Sequence, residues 1–127
     1  MKDLKTLVLE EVKNVYSVEA DYPFEDDLDT AVLRHSCSRK WFGIILSVSR
    51  RKLGFFDEEI INVLNLKCDP LLSGGLIAES KVFPAYHMNK EKWISVPLDG
   101  SMPLSEIMPL VEISFMLTAN KKRACRN

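Results

Sequence analysis

The 127-residue sequence has few of the residues from which metal centres and disulfide frameworks are built. Its three cysteines, Cys37, Cys68 and Cys125, form no C-x-x-C pair and have no zinc-finger spacing to either histidine, His35 or His87. We therefore expect three free thiols, as in a protein of a reducing compartment. A metal site at the two histidines would need a third ligand, so we expect neither a metal nor a cofactor.

Patterns of catalytic machinery and of membrane insertion are also missing. There is no H-E-x-x-H, no P-loop, no G-x-G-x-x-G and no Ser–His–Asp motif. No apolar run approaches the ~20 residues of a membrane span, and charges are scattered through the first five residues, unlike a secretory signal. These absences predict a cytoplasmic, non-enzymatic protein, which we also expect to be a monomer. An enzyme that uses His35 or His87 as an acid or base is the least favoured alternative.

The sequence does contain enough apolar residues for one globular domain spanning residues 1–127. Hydrophobic residues make up 46% of it, and a chain of this length buries roughly two-thirds of its unfolded surface.

The net charge of −1 conceals an uneven distribution of charged residues along the chain. Residues 1–33 hold 3 basic and 9 acidic side chains, for −6, and residues 34–127 hold 14 basic and 9 acidic, for +5. This asymmetry favours a locally positive surface after residue 33.

Hydrophobic periodicity predicts eight elements in the order α-β-β-β-α-β-β-α. Apolar residues at three- and four-residue spacing indicate a first helix over residues 3–16 and a last helix that ends at about residue 118. Between them, Asp69-Pro70 has the N-cap and first-turn residues of a third helix. Alternating or β-branched runs indicate strands over 30–35, 41–48, 60–68, 85–88 and 93–98. The predicted fold class is α+β, a two-layer sandwich of a mainly antiparallel five-stranded sheet with helices on one face.

Alternation along the strands predicts which side chains face the helices. We expect one set to be buried beneath helical residues Leu7, Val12, Leu110 and Val111: Phe42, Ile44, Leu46, Leu64, Leu66, Ile94 and Val96. The opposite, open face would then carry Trp41, Trp93, Asn65 and Lys67. Two tryptophans beside a lysine would make an aromatic and cationic surface suited to a protein or a small ligand, unless another part of the chain covers it.

Two predicted hairpin tips are rich in cations and amides. Arg34, His35, Arg39 and Lys40 surround the first tip, and His87, Asn89, Lys90 and Lys92 surround the second. Such side chains on a protruding ribbon suit contacts with DNA phosphates. Charged side chains at strand edges also keep sheets from pairing with one another, so both readings stay open.

An acidic loop precedes the first predicted strand. Residues 25–29 include four carboxylates but lack the ligand spacing and the glycine of a calcium-binding loop. We expect this loop to be exposed to solvent and to bind no divalent ion.

Several longer motifs resemble the MmcQ/YjbR-like family. They are Asp21-Tyr22-Pro23-Phe24, Leu64-Asn65-Leu66-Lys67-Cys68-Asp69-Pro70, and Tyr86-His87-Met88-Asn89-Lys90 followed by Trp93. The resemblance covers nearly the whole chain. It implies a two-layer α+β fold grouped with CyaY-like and secretion-chaperone-like folds, and binding of double-stranded DNA by two hairpins described as a double wing.

Transferred to this sequence, the resemblance assigns nucleic-acid contacts to both hairpins. The first wing comprises Arg34, His35, Lys40 and Trp41, the second comprises His87, Asn89, Lys90 and Trp93, and Lys67 lies between them. With the neighbouring tip cations Arg39 and Lys92, these form the candidate DNA-binding site. The alternative is a protein- or ligand-interaction module that uses the Trp41, Trp93 and Lys67 face.

Overall fold

The computed structural model describes residues 3–119. The observed elements are α1 (Leu4–Tyr16), β1 (Ala31–Arg34), β2 (Trp41–Ser49), a 3₁₀ helix (Arg50–Leu53), β3 (Ile60–Lys67), α2 (Pro70–Ala78), β4 (Phe83–Pro84), β5 (Trp93–Pro97) and α3 (Leu104–Leu117). The predicted α+β class and element order are confirmed. The basic residues of segment 121–126 and Cys125 lie outside the described residues.

Side-chain caps fix the start of the first two helices. The Asp3 carboxylate accepts a hydrogen bond from the Thr6 amide at 2.9 Å, and the Asp69 carboxylate accepts one from the Leu71 amide at 2.8 Å. Pro70 occupies the first turn of α2, where its missing N–H costs no helical hydrogen bond. The Asp69-Pro70 signal therefore positions α2 as predicted.

The sheet has the strand order β1-β2-β3-β5-β4, and every neighbouring pair is antiparallel. Leu64 and Leu66 of β3, with Val96 and Ile94 of β5 opposite them, are fully buried. They form one core cluster with Val8, Val12, Ile107, Leu110 and Val111 of α1 and α3, and Leu76 and Ile77 of α2 pack against it. All three helices therefore pack on the same face of the sheet. The apolar face of α1 is centred on Val8 and Val12, with Leu7 half-buried beside them.

A bulge at the start of β2 changes which of its residues face the helices. Arg34 pairs with Trp41 and Leu33 with Gly43, so Phe42 is an extra residue on β2. After the bulge, Ile45 joins the helix-side core opposite Leu64. The prediction that Ile44 and Leu46 lie beneath the helices is therefore wrong, because the regular alternation of side chains between the two faces of β2 is interrupted at Phe42.

Gly43 of β2 allows leucines of the two flanking strands, β1 and β3, to meet next to the bulge. A Cβ atom at this position would lie 3.0 Å from Leu33 Cδ1 and 3.5 Å from Leu64 Cδ1 and Leu66 Cδ2. A distance of 3.0 Å is closer than carbon atoms approach without strain, so the packing beneath α3 depends on a residue without a side chain.

The face of the sheet opposite the helices is partly covered by irregular segments. Val32, Ile44 and Val63 on this face are buried, although no helix packs over them. Phe55, from the segment after the 3₁₀ helix, packs edge-on to Phe83 of β4 with ring centroids 5.4 Å apart. We call the face of the sheet opposite the helices the second face. The expectation of a fully open face is therefore only partly correct.

The strand predicted over residues 85–88 is instead β4, at Phe83–Pro84. His87 has a positive φ of 65°, which no extended strand contains, and the segment from Ala85 to Met88 is irregular. Its backbone is held by side chains of the sheet rather than by ladder hydrogen bonds. This part of the second predicted wing is consequently a loop lying on the second face.

Cysteine pairing differs from the expectation of three free thiols. Cys68 is a buried free thiol, whereas Cys37 is disulfide-bonded. Burial raises the pKa of the Cys68 thiol above its usual value. Among residues 3–119, no helix is long and apolar enough to cross a bilayer.

Candidate functional site

A cavity of about 680 Å³ lies on the second face of the sheet. Its floor is formed by Trp41, Ile44 and Leu46 of β2 and Asn65 of β3. One wall is the segment from Pro23 to Asp27 with Thr30, and the other is the segment from Tyr86 to Met88. We call these the acidic wall and the tyrosine wall. Three stretches distant in sequence thus enclose one site.

The acidic wall is anchored to the edge strand β1 and to α1. Asp21 and Val32 exchange two backbone hydrogen bonds, at 2.8 and 2.9 Å. Lys5 of α1 donates from Nζ to the Asp29 carbonyl at 2.7 Å, and the Thr30 hydroxyl donates to the Asp27 carboxylate. These contacts fix both ends of the loop, while residues 25–29 are exposed as predicted.

The tyrosine wall is anchored by a closed ring of three hydrogen bonds to buried polar side chains. The Asn65 amide donates to the Tyr86 carbonyl at 2.8 Å, and the Tyr86 amide donates to the Ser95 hydroxyl at 2.9 Å. The Ser95 hydroxyl in turn donates to the Asn65 amide oxygen. Asn65 and Ser95 are 1% and 0% exposed, so the bond between them is shielded from water, and the two bonds to the Tyr86 backbone are partly shielded. Lys90 adds a fourth contact, from Nζ to the Ala85 carbonyl at 2.9 Å.

The electrostatic character of the cavity is set by its acidic wall. Glu25, Asp26 and Asp27 line it, and no lysine or arginine is among its lining residues in the described part of the chain. The hydrogen bond from Thr30 holds the pKa of the Asp27 carboxyl below its ordinary value, so this group stays ionised at neutral pH. The cavity therefore combines an apolar floor with a negative rim.

Aromatic rings surround the floor. Phe24 meets Trp41 edge-on with ring centroids 6.3 Å apart, and the rings of Tyr86 and His87 lie 3.8 Å apart. The Arg34 guanidinium lies over the Trp41 ring, 5.4 Å from its centroid, and forms an ion pair of 3.1 Å with Asp21. Arg34 is consequently occupied by two partners within the protein.

The structure places only two of the predicted site residues at the cavity, Trp41 and His87. The predicted platform of Trp41, Trp93 and Lys67 is divided. Lys67 and Trp93 are direct partners across β3 and β5 and are half-buried, but neither lines the cavity. Trp41 contributes to the cavity without them.

His35 lies in the core and not on the surface of the first wing. It is 8% exposed, and its Nε2 atom lies 2.8 Å from the Thr118 hydroxyl. Its ring packs 4.3 Å from that of Phe115 and 5.2 Å from that of Phe42. Burial lowers the pKa of His35 below 6.5, because the charged imidazolium would lose its hydration. The bulge at Phe42 accompanies this inward placement.

Of the remaining wing residues, some are exposed to solvent and others contact neighbouring groups of the protein. Lys40 and Lys92 are exposed, and Arg39 is 61% exposed with its guanidinium 3.9 Å from the Asp21 carboxylate. The Asn89 side chain accepts a hydrogen bond from the Glu91 amide at 2.8 Å, which stabilises the turn before β5. Because Lys40 precedes β2 and Lys92 precedes β5, both lie at the end of the sheet where β3 finishes.

Sequence reasoning missed the roles of Asn65, Ser95 and Tyr86 in forming a site. A signal for Asn65 exists, since an amide interrupts the otherwise apolar centre of a strand, and such a group requires buried partners. Nothing in the local sequence pairs it with Tyr86, which is 21 residues away.

Comparison with known proteins agrees with this architecture. A family model described as YjbR matches residues 13–117. The chain belongs to the YjbR family. Among YjbR relatives, the uncharacterized protein YyaQ of Bacillus subtilis is 42% identical over 111 residues, covering 87% of this chain and 94% of that protein. The uncharacterized protein YjbR of Escherichia coli is 41% identical over 58 residues, covering 45% of this chain and 49% of that protein.

Solved structures show that the YjbR fold is shared. A crystal structure of a Pseudomonas syringae protein has a TM-score of 0.86 at 36% identity, covering 94% of this chain and all of that one. A Deinococcus radiodurans protein, 23% identical with a TM-score of 0.63, has the same fold and covers 91% of this chain and 80% of that chain. The relatives' names assign no activity, so an argument about function must rest on the geometry of the site.

Proposed function

We propose that this YjbR-family chain is a non-enzymatic binding module that holds a small ligand in the cavity on the second face of the sheet. The observation that carries the proposal is the cavity itself. Its volume of about 680 Å³ lies within the ~300–1,000 Å³ typical of ligand pockets. Its mixture of apolar floor, aromatic rings and a few fixed polar groups is also typical of such pockets.

Hydrogen bonds within the protein hold both walls of the cavity in place, which supports the proposal. The ring of Asn65, Ser95 and Tyr86 holds one wall, and the pairing of Asp21 with Val32 holds the other. A ligand entering a pre-formed site does not have to order these segments, so less of its interaction energy is lost to conformational entropy.

The experiment is a fragment screen by two-dimensional NMR on the wild-type protein and on Met88→Trp. We expect fragments to shift the amide resonances of Trp41 and residues 86–88, and these shifts to disappear when the larger indole at position 88 fills the cavity. Met116→Trp is the matched control, because Met116 is 61% exposed on α3, on the other side of the sheet. The proposal fails if no fragment shifts the cavity resonances, or if Met88→Trp binds the fragments as well as Met116→Trp does.

Binding of double-stranded DNA by the wings is a second candidate. The observation that favours it is the exposure of Lys40 and Lys92 at the same end of the sheet, with Arg39 beside the first. Cations presented together on two protruding turns can neutralise phosphates along one groove. This site would be separate from the cavity, whose carboxylates repel phosphate.

A further inference from the structure

We infer that the ligand of the second-face cavity is a small organic cation with an apolar body, such as an alkylated ammonium ion bearing an aromatic ring. This inference rests on the proposed function, since it assigns a chemical class to the ligand of the same cavity. Three properties of the cavity support it: the sign of its charge, the state of its carboxylates and the character of its rings.

The charge of the lining is of one sign. Glu25, Asp26 and Asp27 belong to the acidic wall, and no lysine or arginine lines the cavity within residues 3–119. These three side chains are exposed, so water and salt partly screen their charges, but the sign of the potential at the rim is negative. An anionic ligand would therefore be disfavoured, and a cation would be attracted.

The carboxylates of the acidic wall are not neutralised by the protein. Within the described residues, Arg34 and Arg39 approach Asp21 instead, and Glu25 and Asp26 form no ion pair. Asp27 accepts a hydrogen bond from the neutral Thr30 hydroxyl, and Lys5 of α1 attracts its charge through space without forming an ion pair with it. The negative charge at the rim is thus available to a ligand.

The aromatic rings provide the second means of holding a cation. Phe24, Trp41 and Tyr86 line the same space, and aromatic faces attract ammonium and guanidinium groups through their quadrupoles. The Arg34 guanidinium already lies over the Trp41 ring, so Phe24 and Tyr86 are the rings that we assign to the cationic group of a ligand. Ile44 and Leu46 of the floor provide the contact for an apolar body.

The test is an NMR titration with three probes of the same shape and different charge. They are benzyltrimethylammonium, its uncharged carbon isostere neopentylbenzene, and the anion phenylmethanesulfonate. We expect the cation to bind roughly tenfold more tightly than the neutral isostere, the gain expected from a partly desolvated cation–π contact. The anion should bind more weakly than either. The preference for the cation should also decrease as salt is added.

A charge-neutralised variant separates the two proposals. The double substitution Glu25→Gln and Asp26→Asn keeps the shape of the exposed wall and should remove most of the preference for the cation, while the neutral isostere binds as before. Equal binding of cation and neutral isostere, or tighter binding of the anion, overturns the inference and leaves the binding-module proposal standing. If no probe shifts the resonances of Trp41 and residues 86–88, the inference of a cationic ligand fails, and the fragment screen decides the binding-module proposal separately.

Discussion

At the scale of single residues, the two histidines have opposite surroundings. His35 is enclosed by Phe42, Phe115 and Thr118, whereas His87 is exposed at the rim of the cavity. Both were expected near hairpin tips. The bulge at Phe42 and the positive φ of His87 accompany the difference. Neither the bulge nor the positive φ can be recognised from the spacing of hydrophobic residues in the sequence.

The burial of His35 predicts a specific pH dependence of stability. Because its pKa is lower in the folded protein than its usual 6.5, the unfolded chain binds a proton first as the pH falls. The free energy of unfolding should be insensitive to this group above about pH 7.5 and should decrease as the pH falls through 6.5 toward 5. Urea unfolding at several pH values measures this decrease.

The matched variants for this prediction are His35→Gln and His87→Gln. Replacing the buried histidine should flatten the decrease between pH 7.5 and 5, even if the variant is less stable at every pH. Replacing the exposed one should leave the decrease unchanged. Equal pH slopes for wild type and His35→Gln would show that other groups cause the effect.

At the scale of elements, the sequence predicts the order and type of all three helices and of the first three strands. Capping residues and apolar spacing are local signals, and local signals position α1, α2 and the body of each strand. The faces of β2 and the position of β4 were predicted wrongly. They depend on a single extra residue at Phe42 and on hydrogen bonds from Asn65 and Ser95, which join positions 9 to 30 residues apart. Periodicity contains no information about such contacts.

The Asn65 ring predicts how the tyrosine wall responds to mutation. Asn65→Ala removes the donor to the partly buried Tyr86 carbonyl and the acceptor of the fully buried Ser95 hydroxyl. We expect a loss of about 1–3 kcal/mol in the free energy of unfolding, measured by urea denaturation. Hydrogen exchange at the Tyr86 amide should accelerate, because Asn65 no longer holds the Tyr86 carbonyl or orients the Ser95 hydroxyl that accepts from this amide.

Asn62→Ala is the control for this substitution on the same strand. The Asn62 side chain accepts an exposed hydrogen bond from Ser47 at 3.1 Å, so its removal should cost well under 1 kcal/mol. It should also leave exchange at Tyr86 unaltered. If the two variants are equally stable, the ring contributes less than its burial implies.

At the scale of the whole molecule, the charge distribution separates the two candidate functions. The −6 of residues 1–33 includes the acidic wall, while the +5 of residues 34–127 includes both predicted wings and four cations in segment 121–126. This polarity is read from the sequence by counting, and the positive surface that it favours after residue 33 stays a prediction. The sequence could not predict the cavity, since the acidic wall, the sheet floor and the tyrosine wall come together only in the folded chain.

Wing-mediated DNA binding makes a quantitative prediction about salt. Lys40→Ala with Lys92→Ala should weaken binding of duplex DNA about equally for all sequences and reduce the slope of log K against log salt by roughly 0.9 per lost contact. Fluorescence anisotropy at several salt concentrations measures the slope. A Lys13→Ala, Lys81→Ala double variant makes the same change in net charge away from the wings and should affect the slope less. Absence of binding by the wild-type protein at ~50 mM salt would exclude the wing hypothesis.

The division of the cavity into a sheet floor and two irregular walls has a consequence for how this family can diverge. The floor residues lie on the central strands β2 and β3, whose other face builds the core, so substitutions there are constrained by folding. The walls, by contrast, contribute exposed side chains such as Glu25, Asp26 and His87, and substitutions at such positions usually change stability little. Under the proposed function, selection can therefore alter what the cavity binds while the scaffold is inherited intact. We then expect YjbR-family proteins to share one architecture and to differ in the residues of the two walls.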